Sequence, residues 1–267
     1  MPIIDIPRIG LGTWDNKDPK KTPAGIAKAI EIGYRHIDTA QLYFNEALIG
    51  EGIRLSGISR EEIFLATKVS PSYLQPKDVK RTTRESIEKL GVEYVDLLYI
   101  HWPAETYEAK PTLDTFNEIK EEGLTKHIAV SNFTRPLLDE AFEISRAPLI
   151  ANQVEMHPLL RQNEMLEYVK KHDIYLVAYS PLARGRVFDI PEVQEIANRH
   201  GISEAQVSLA WLLSKDNVIA IPKAVGEAHQ RANLEAAEIK LSSDDIKLID
   251  SIENEDRIID PYFAPDW

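Results

Sequence analysis

Eight times along the chain a short, largely apolar run gives way to a stretch of helical periodicity, at intervals of roughly 30 residues. This rhythm constrains the fold more than any other feature of the sequence. Strands that alternate with helices pair in parallel, and runs apolar on both faces must be covered on both faces. The strand runs are Gly10–Thr13, His36–Asp38, Ile63–Val69, Tyr94–Ile100, His127–Val130, Leu149–Asn152, Ile174–Ala178 and Val218–Ile221. Helical patterns fall between them: Thr22 as a cap with Pro23 behind it and Gly33 as a stop, a segment from Pro76 to Gly91, and a capping-box pair at Ser203 and Gln206. Eight such units predict one α/β domain over residues 1–267, a closed (β/α)8 TIM barrel, ahead of a doubly wound open sheet. Residues 3–8 are expected to form an N-terminal hairpin closing the barrel bottom, and an extra C-terminal helix is expected from about Ser243.

Composition narrows the function. The 267 residues include no cysteine, which excludes disulfide and thiol chemistry and fits a reducing cytoplasm. A formal net charge of −12 argues against a nucleic-acid or anionic-membrane surface. No run approaches the ~20 apolar residues that span a bilayer, and the first residues lack the pattern of a signal peptide. A cytoplasmic monomer acting on a small molecule is the expectation.

Barrels of this type carry their active sites at the C-terminal strand ends. The residues following the eight apolar runs are Trp14, Asp38, Lys68, His101, Asn132, Gln153, Tyr179 and Lys223. Lys, His and Gln are not turn formers, so turn chemistry does not explain the set. Lys68 is embedded in an apolar run and needs a carboxylate partner, for which Asp38 on the adjacent strand is placed. Singly, Asp38 reads as a cap, Tyr43 as a packed aromatic and His101 as a structural histidine. Together they can protonate the alkoxide formed when hydride reaches a carbonyl carbon. Tyr43 would donate the proton, Lys68 would lower its pKa, Asp38 would orient Lys68, and His101 would hydrogen-bond the oxygen. No metal is required. The chain has no G-x-S-x-G elbow, H-E-x-x-H pair or P-loop, and Gly10-Leu11-Gly12 lacks the third glycine of a dinucleotide fingerprint.

Nearly end to end, these residues resemble the aldo-keto reductase family. The resemblance rests on Gly10–Trp14, Gly33–Ala40, Tyr43 with Asn45-Glu46, Thr67-Lys68, Ile100–Pro103, Ser131–Phe133, Asn152–Glu155 with His157-Pro158, Tyr179–Leu182 and Ile221–Lys223. The ending Phe263–Trp267 is similar to the microbial diketogluconate and methylglyoxal reductase branch. The resemblance implies the same catalytic set, Asp38, Tyr43, Lys68 and His101. It implies a nicotinamide cofactor stacked on Tyr179 with Ser131, Asn132 and Gln153 on its carboxamide. Gly12, Thr13, Trp14, Ser180 and Leu182 are implied along the same cofactor. Lys223, Ala224, Val225, His229 and Asn233 are implied around the adenosine end, favouring NADPH with NADH possible. Trp14, Phe44 and Trp102 are implied as the substrate pocket, suited to small dicarbonyls, keto-sugars or aromatic aldehydes.

Three departures stand out. Phe44 replaces a frequent glycine and is expected to reshape a pocket wall. Ala224 and His229 replace a serine and an arginine of the phosphate-binding stretch, which weakens the expected NADPH preference. The segment from Leu182 to Ile190 is short, so faster cofactor exchange is expected. The rival readings are a non-enzymatic, nicotinamide-binding redox sensor or regulatory subunit on the same barrel, and a barrel enzyme acting on phosphorylated sugars.

Overall fold

The computed structural model describes residues 4–104 and 106–267. Eight parallel strands run in chain order through one sheet: β1 (Leu11–Gly12), β2 (His36–Asp38), β3 (Phe64–Val69), β4 (Val95–Ile100), β5 (Thr125–Ser131), β6 (Leu149–Glu155), β7 (Tyr175–Tyr179) and β8 (Val218–Ala220). Among the described residues the ten α-helices are α1 (Lys21–Glu31), α2 (Glu46–Ser56), α3 (Pro76–Leu90), α4 (Ala109–Glu121), α5 (Arg135–Ile144), α6 (Asn163–Lys171), α7 (Pro191–His200), α8 (Glu204–Leu213), α9 (Glu227–Glu235) and α10 (Ser243–Asp250). The sheet curls until its ends meet. Isolated parallel bridges join Ile9 to Ala220 and Gly12 to Lys223. The Gly10 and Gly12 amides donate to the carbonyls of Ala220 and Pro222 at 2.9 and 3.1 Å. Only glycine fits at position 12, because a Cβ there would lie 2.5 Å from the Ile221 carbonyl oxygen.

Two apolar layers follow from the strand period of two. Ala66, Leu97, Tyr99, Ala129, Ala151, Val177 and Ile219 pack inside the curl, while alternating residues such as Leu65, Leu98, Ile128 and Leu176 pack outward with the helices. The inward series continues upward to the strand ends, so Lys68 stands two residues above Ala66, His101 above Tyr99, Gln153 above Ala151 and Tyr179 above Val177. That alternation alone delivers the polar residues to one place.

The local expectations hold with adjustments. Gly91 ends α3 in a left-handed conformation and Ser203 and Gln206 form the expected capping box at α8. The long helical region before β8 is two helices, broken at Gly201 with φ 66°. The expected Thr22 cap is displaced by Asp18, whose Oδ1 accepts from the Lys20 and Lys21 amides at 2.9 and 3.0 Å. No hairpin forms over residues 4–8, and residue 3 of that expectation lies outside the described residues. Ile6 is instead buried among the inner-layer side chains, and Arg8 donates to the carbonyls of Leu213, Lys215 and Val218 at the sheet's closing edge. The Arg8 carbonyl accepts from the Ala220 amide at 2.9 Å, so the segment runs directly into the edge it shares with β8.

Candidate active site

A cavity of about 700 Å³ opens at the C-terminal strand ends. Trp14, Asp38, His101, Asn132, Gln153, Tyr179 and Lys223 all line it, together with Gly12, Thr13, Tyr43, Trp102, Ser180 and Leu182. Seven of the eight strand-end residues read from the sequence therefore share one cavity. The eighth, Lys68, is fully buried beneath it.

Lys68 explains the floor. Its ammonium pairs with Asp38 Oδ1 and donates to the Thr39 carbonyl at 2.8 Å. The second Asp38 oxygen accepts from Gln153 Nε2 at 2.8 Å. The ammonium lies 5.2 Å from the Tyr43 ring centre and 5.7 Å from that of Tyr99. Tyr43 sits on a single 3-10 turn, Gln41–Tyr43, and meets His101 edge-on with ring centres 5.7 Å apart. The four residues are thus one cluster.

Burial sets the protonation. It pushes the Tyr43 phenol well above its ordinary 10, and the Asp38 carboxylate adds to the effect. This is opposite to the lowering expected from Lys68 alone. Asp38 neutralises that ammonium, and the buried phenolate would lose its hydration. Burial likewise lowers Lys68, against Asp38, which raises it. His101 is held well below 6.5 by burial and then by the Lys68 charge, so its ring is neutral near pH 7.

The wall beside this cluster is built of amides and hydroxyls. Asn132, at φ 64°, donates to the His101 carbonyl and to Ser131 Oγ, both at 3.0 Å, while its Oδ1 accepts from the Tyr179 hydroxyl at 2.9 Å. Ser131 Oγ donates to the Gln153 carbonyl at 2.9 Å. Lys223 and the exposed Trp14 line the same cavity, the Lys223 ammonium 5.7 Å from the indole centre. Ala224, Val225, His229 and Asn233 do not line the cavity. His229 is exposed on the first turn of α9, and Asn233 is buried on the same helix.

Phe44 is not a pocket wall. It is 82% exposed, absent from the cavity lining, and left-handed at φ 54°, ψ 33°. The turn after Tyr43 needs a positive φ, which glycine adopts freely and phenylalanine does not. Phe44→Gly is therefore expected to raise stability by roughly 1 kcal/mol in urea unfolding and to leave substrate KM unchanged. A several-fold KM shift would restore the pocket assignment.

Reasoning from strand ends missed the wall formed by the tail. Ile259, Pro261 and Phe263 line the cavity, as do Leu42, Arg184 and Gly185. Phe263 and Trp267 meet Trp102 edge-on at 5.6 and 6.2 Å, and Trp102 is buried beneath them. The tail is clamped by Glu155 at the end of β6, whose oxygens accept from the Ile258 and Ile259 amides at 2.8 Å each and from His157 at 2.8 Å. The aromatic density of residues 262–267 was the signal available. Burial raises Glu155, but the His157 and backbone hydrogen bonds outweigh it and hold the carboxyl below its ordinary 4.5. A carboxyl lowered by folding stabilises above the unfolded value and loses that contribution as pH falls through the folded one. Proteolysis of the tail is expected to accelerate below about pH 4.5, and Glu155→Gln to remove that acid-dependent step. A tail equally protected at pH 3 and pH 7 would count against the clamp.

Among the described residues no helix is long and apolar enough to cross a membrane, and no group of three or more His, Cys, Asp or Glu side chains could hold a metal. The aldo/keto reductase family model matches residues 8–254. The methylglyoxal reductase DkgB of Escherichia coli O157:H7 is 36% identical over 266 residues, 98% of this chain and 99% of that protein. The glyoxal reductase of Bacillus subtilis strain 168 is 34% identical over 255 residues, 96% of this chain and 92% of that protein. A crystal structure provisionally assigned to 2,5-diketo-D-gluconic acid reductase B superposes with a TM-score of 0.95 at 35% identity, over 98% of this chain and 94% of that chain. With a buried Lys–Asp pair beneath a tyrosine and relatives matched along their whole length, the chain belongs to the aldo/keto reductase family and is an oxidoreductase, similar to its methylglyoxal and diketogluconate reductase branch.

Proposed function

We propose that the protein reduces aldehydes and ketones to alcohols on a single (β/α)8 barrel domain, with NADPH as the preferred reductant and NADH accepted. Small dicarbonyls, keto-sugars and aromatic aldehydes are the substrate candidates. The observation that carries this reading is the fully buried Lys68–Asp38 pair directly beneath the Tyr43 ring, with His101 edge-on to that ring at the cavity floor. The donor set suits a nicotinamide dinucleotide. Asp38 accepts only, so it fixes Gln153 with Nε2 toward the carboxylate and leaves the amide oxygen for another donor. Asn132 and Ser131 stand next to it, the Tyr179 ring offers a flat face, and Lys223 offers a cation for phosphate.

When bound, the nicotinamide supplies the hydride. Tyr43 keeps its proton in the resting site, since burial raises its pKa, and releases it only to an oxygen on which negative charge has developed. Lys68 sits under the ring at 5.2 Å and favours the phenolate left behind. Asp38, clamped by Lys68 and Gln153, keeps that ammonium in place. Neutral His101 donates a hydrogen bond to the same oxygen without competing as an acid. Trp102, Phe263 and Pro261 give the substrate end apolar walls, which favour small, weakly charged carbonyls. The methylglyoxal and glyoxal named in the relatives' descriptions fit that description. A monomer in the cytoplasm is part of the proposal, and the cysteine-free sequence fits a reducing compartment.

The test is consumption of NADPH and of NADH with methylglyoxal, a diketogluconate and benzaldehyde. Turnover of at least one carbonyl, faster with NADPH, is expected. Tight cofactor binding with no turnover of any of the three would overturn the proposal.

A further inference from the structure

Tyr99 is fully buried in the inner apolar layer, among residues such as Leu97, Ala129, Ala151 and Ile219. Its register partners are Lys68 on β3 and Ala129 on β5. The Lys68 ammonium lies 5.7 Å from the centre of its ring and 5.2 Å from that of Tyr43. One buried cation thus has two phenol rings against it. Tyr43 lines the cavity, whereas Tyr99 stands two residues below His101, beneath the floor. A phenylalanine would fill that place as well. The Tyr99 hydroxyl, however, is buried without a hydrogen-bond partner. Stranding a hydroxyl costs stability, so an interior that keeps one calls for an explanation. Burial first, and then the Asp38 carboxylate, hold this phenol well above 10, while the Gln153 amide opposes them. Those two side chains bond each other at 2.8 Å. The hydroxyl is therefore a spare donor in the field of the carboxylate that neutralises Lys68.

We propose that Tyr99 is a positioning residue for the reduction, its hydroxyl engaging the Asp38 carboxylate when Lys68 turns its charge toward Tyr43. The inference rests on Tyr43 as the acid in the reading above. Lys68 has three N–H donors, and Asp38 Oδ1 and the Thr39 carbonyl take two of them in the resting site. Once Tyr43 gives its proton to the substrate oxygen, its phenolate competes with Asp38 for that ammonium. Whatever attraction the phenolate gains, Asp38 loses. A hydrogen bond from Tyr99 replaces the loss, and a bond to a charged acceptor is among the stronger kinds. No proton leaves Tyr99; its hydroxyl only reorients. A donor idle in the ground state and bonded in the transition state raises kcat rather than affinity.

The experiment compares wild type, Tyr99→Phe, Tyr43→Phe and the double variant. It combines steady-state reduction of the best of the three test carbonyls by NADPH with fluorescence titration of the cofactor and urea unfolding. Tyr99→Phe should lower kcat about tenfold, the worth of one hydrogen bond to a charged group. KM and the NADPH Kd should stay within about twofold. The variant should be no less stable than wild type, since it removes only an unpaired hydroxyl. With less ammonium available, the Tyr43 phenolate is harder to form, so the alkaline limb of kcat/KM should move to higher pH. The other titratable groups that bear on the cluster, His36, Asp38, Glu46, His101 and Tyr179, are untouched by the change. In the Tyr43→Phe background the loss should vanish, because no phenolate forms there to draw Lys68 away. A kcat within about twofold of wild type in Tyr99→Phe, or an unmoved alkaline limb, would overturn the proposal and leave the reductase reading intact. An equal loss in both Tyr43 backgrounds, or a loss of stability in step with activity, would overturn it too, by marking Tyr99 as packing alone. Wild type that binds NADPH but reduces no carbonyl would overturn the reductase reading and this proposal together.

Discussion

Tyr43→Phe should reduce kcat/KM for every carbonyl substrate by about 10²–10⁴-fold while changing the Kd for NADPH less than about twofold. The substitution is nearly isosteric. The phenyl ring keeps its edge contact with His101 and its place over the Lys68 ammonium, so the packing that positions the pocket survives. Only the hydroxyl is lost, and with it the proton that the developing alkoxide needs. His101 cannot take over as the acid, because burial and the Lys68 charge keep its ring neutral. The pH dependence should change in kind as well. Wild-type turnover should decline toward alkaline pH as a proton is lost from the Tyr43–Lys68 cluster, and the residual activity of the variant should not follow that limb. Steady-state kinetics with fluorescence titration of the cofactor separates chemistry from binding. A variant retaining a tenth of the activity would remove Tyr43 from the role of acid.

The fold was legible because its signal is repeated. A strand period of two and a helix period of 3.6 recur eight times, and no single ambiguous boundary alters the count. The strand-end candidates were legible because each follows an apolar run, and in the structure they stand two residues beyond an inward apolar residue. Lys68 above Ala66 and Gln153 above Ala151 are instances. Three features were not legible, each for its own physical reason. The direction of the Tyr43 shift depends on the balance between burial and two opposed charges, and a residue list contains no distances. The exposure of Phe44 depends on a positive φ, which the side chain itself disguises. The tail reaches the cavity through backbone amides given to Glu155, a contact some hundred residues apart in sequence and independent of which side chains the tail carries. The contact of Arg184 with Trp14 was likewise hidden, because it joins the loops after β7 and β1.

Asp38→Asn should be the most destabilising conservative change in the cavity floor. It leaves Lys68 fully buried with no counter-charge, facing only neutral acceptors, the Thr39 carbonyl and the asparagine amide oxygen. Breaking such a pair by removing one partner costs about 3–5 kcal/mol. For a chain of this size that lowers Tm by roughly 6–20 °C. The loss should itself depend on pH. Burial already lowers Lys68, and Asp38 is the first of the groups that oppose it. Without Asp38 the lysine folds neutral, while in the unfolded chain it remains protonated up to its ordinary 10.5. The unfolded state then binds the extra proton, so the variant's stability must rise with pH between the lowered folded value and 10.5. The gap between variant and wild type should be widest near pH 6 and narrow toward pH 9. Asp38→Asn combined with Lys68→Met replaces both charges and should recover much of the loss at every pH, with catalysis still absent. Urea unfolding of wild type, Asp38→Asn, Lys68→Met and the double variant at two pH values closes the cycle. If Asp38→Asn were equally stable at both, or the double variant no more stable than the single, Lys68 would not be held in the barrel floor by its pairing with Asp38.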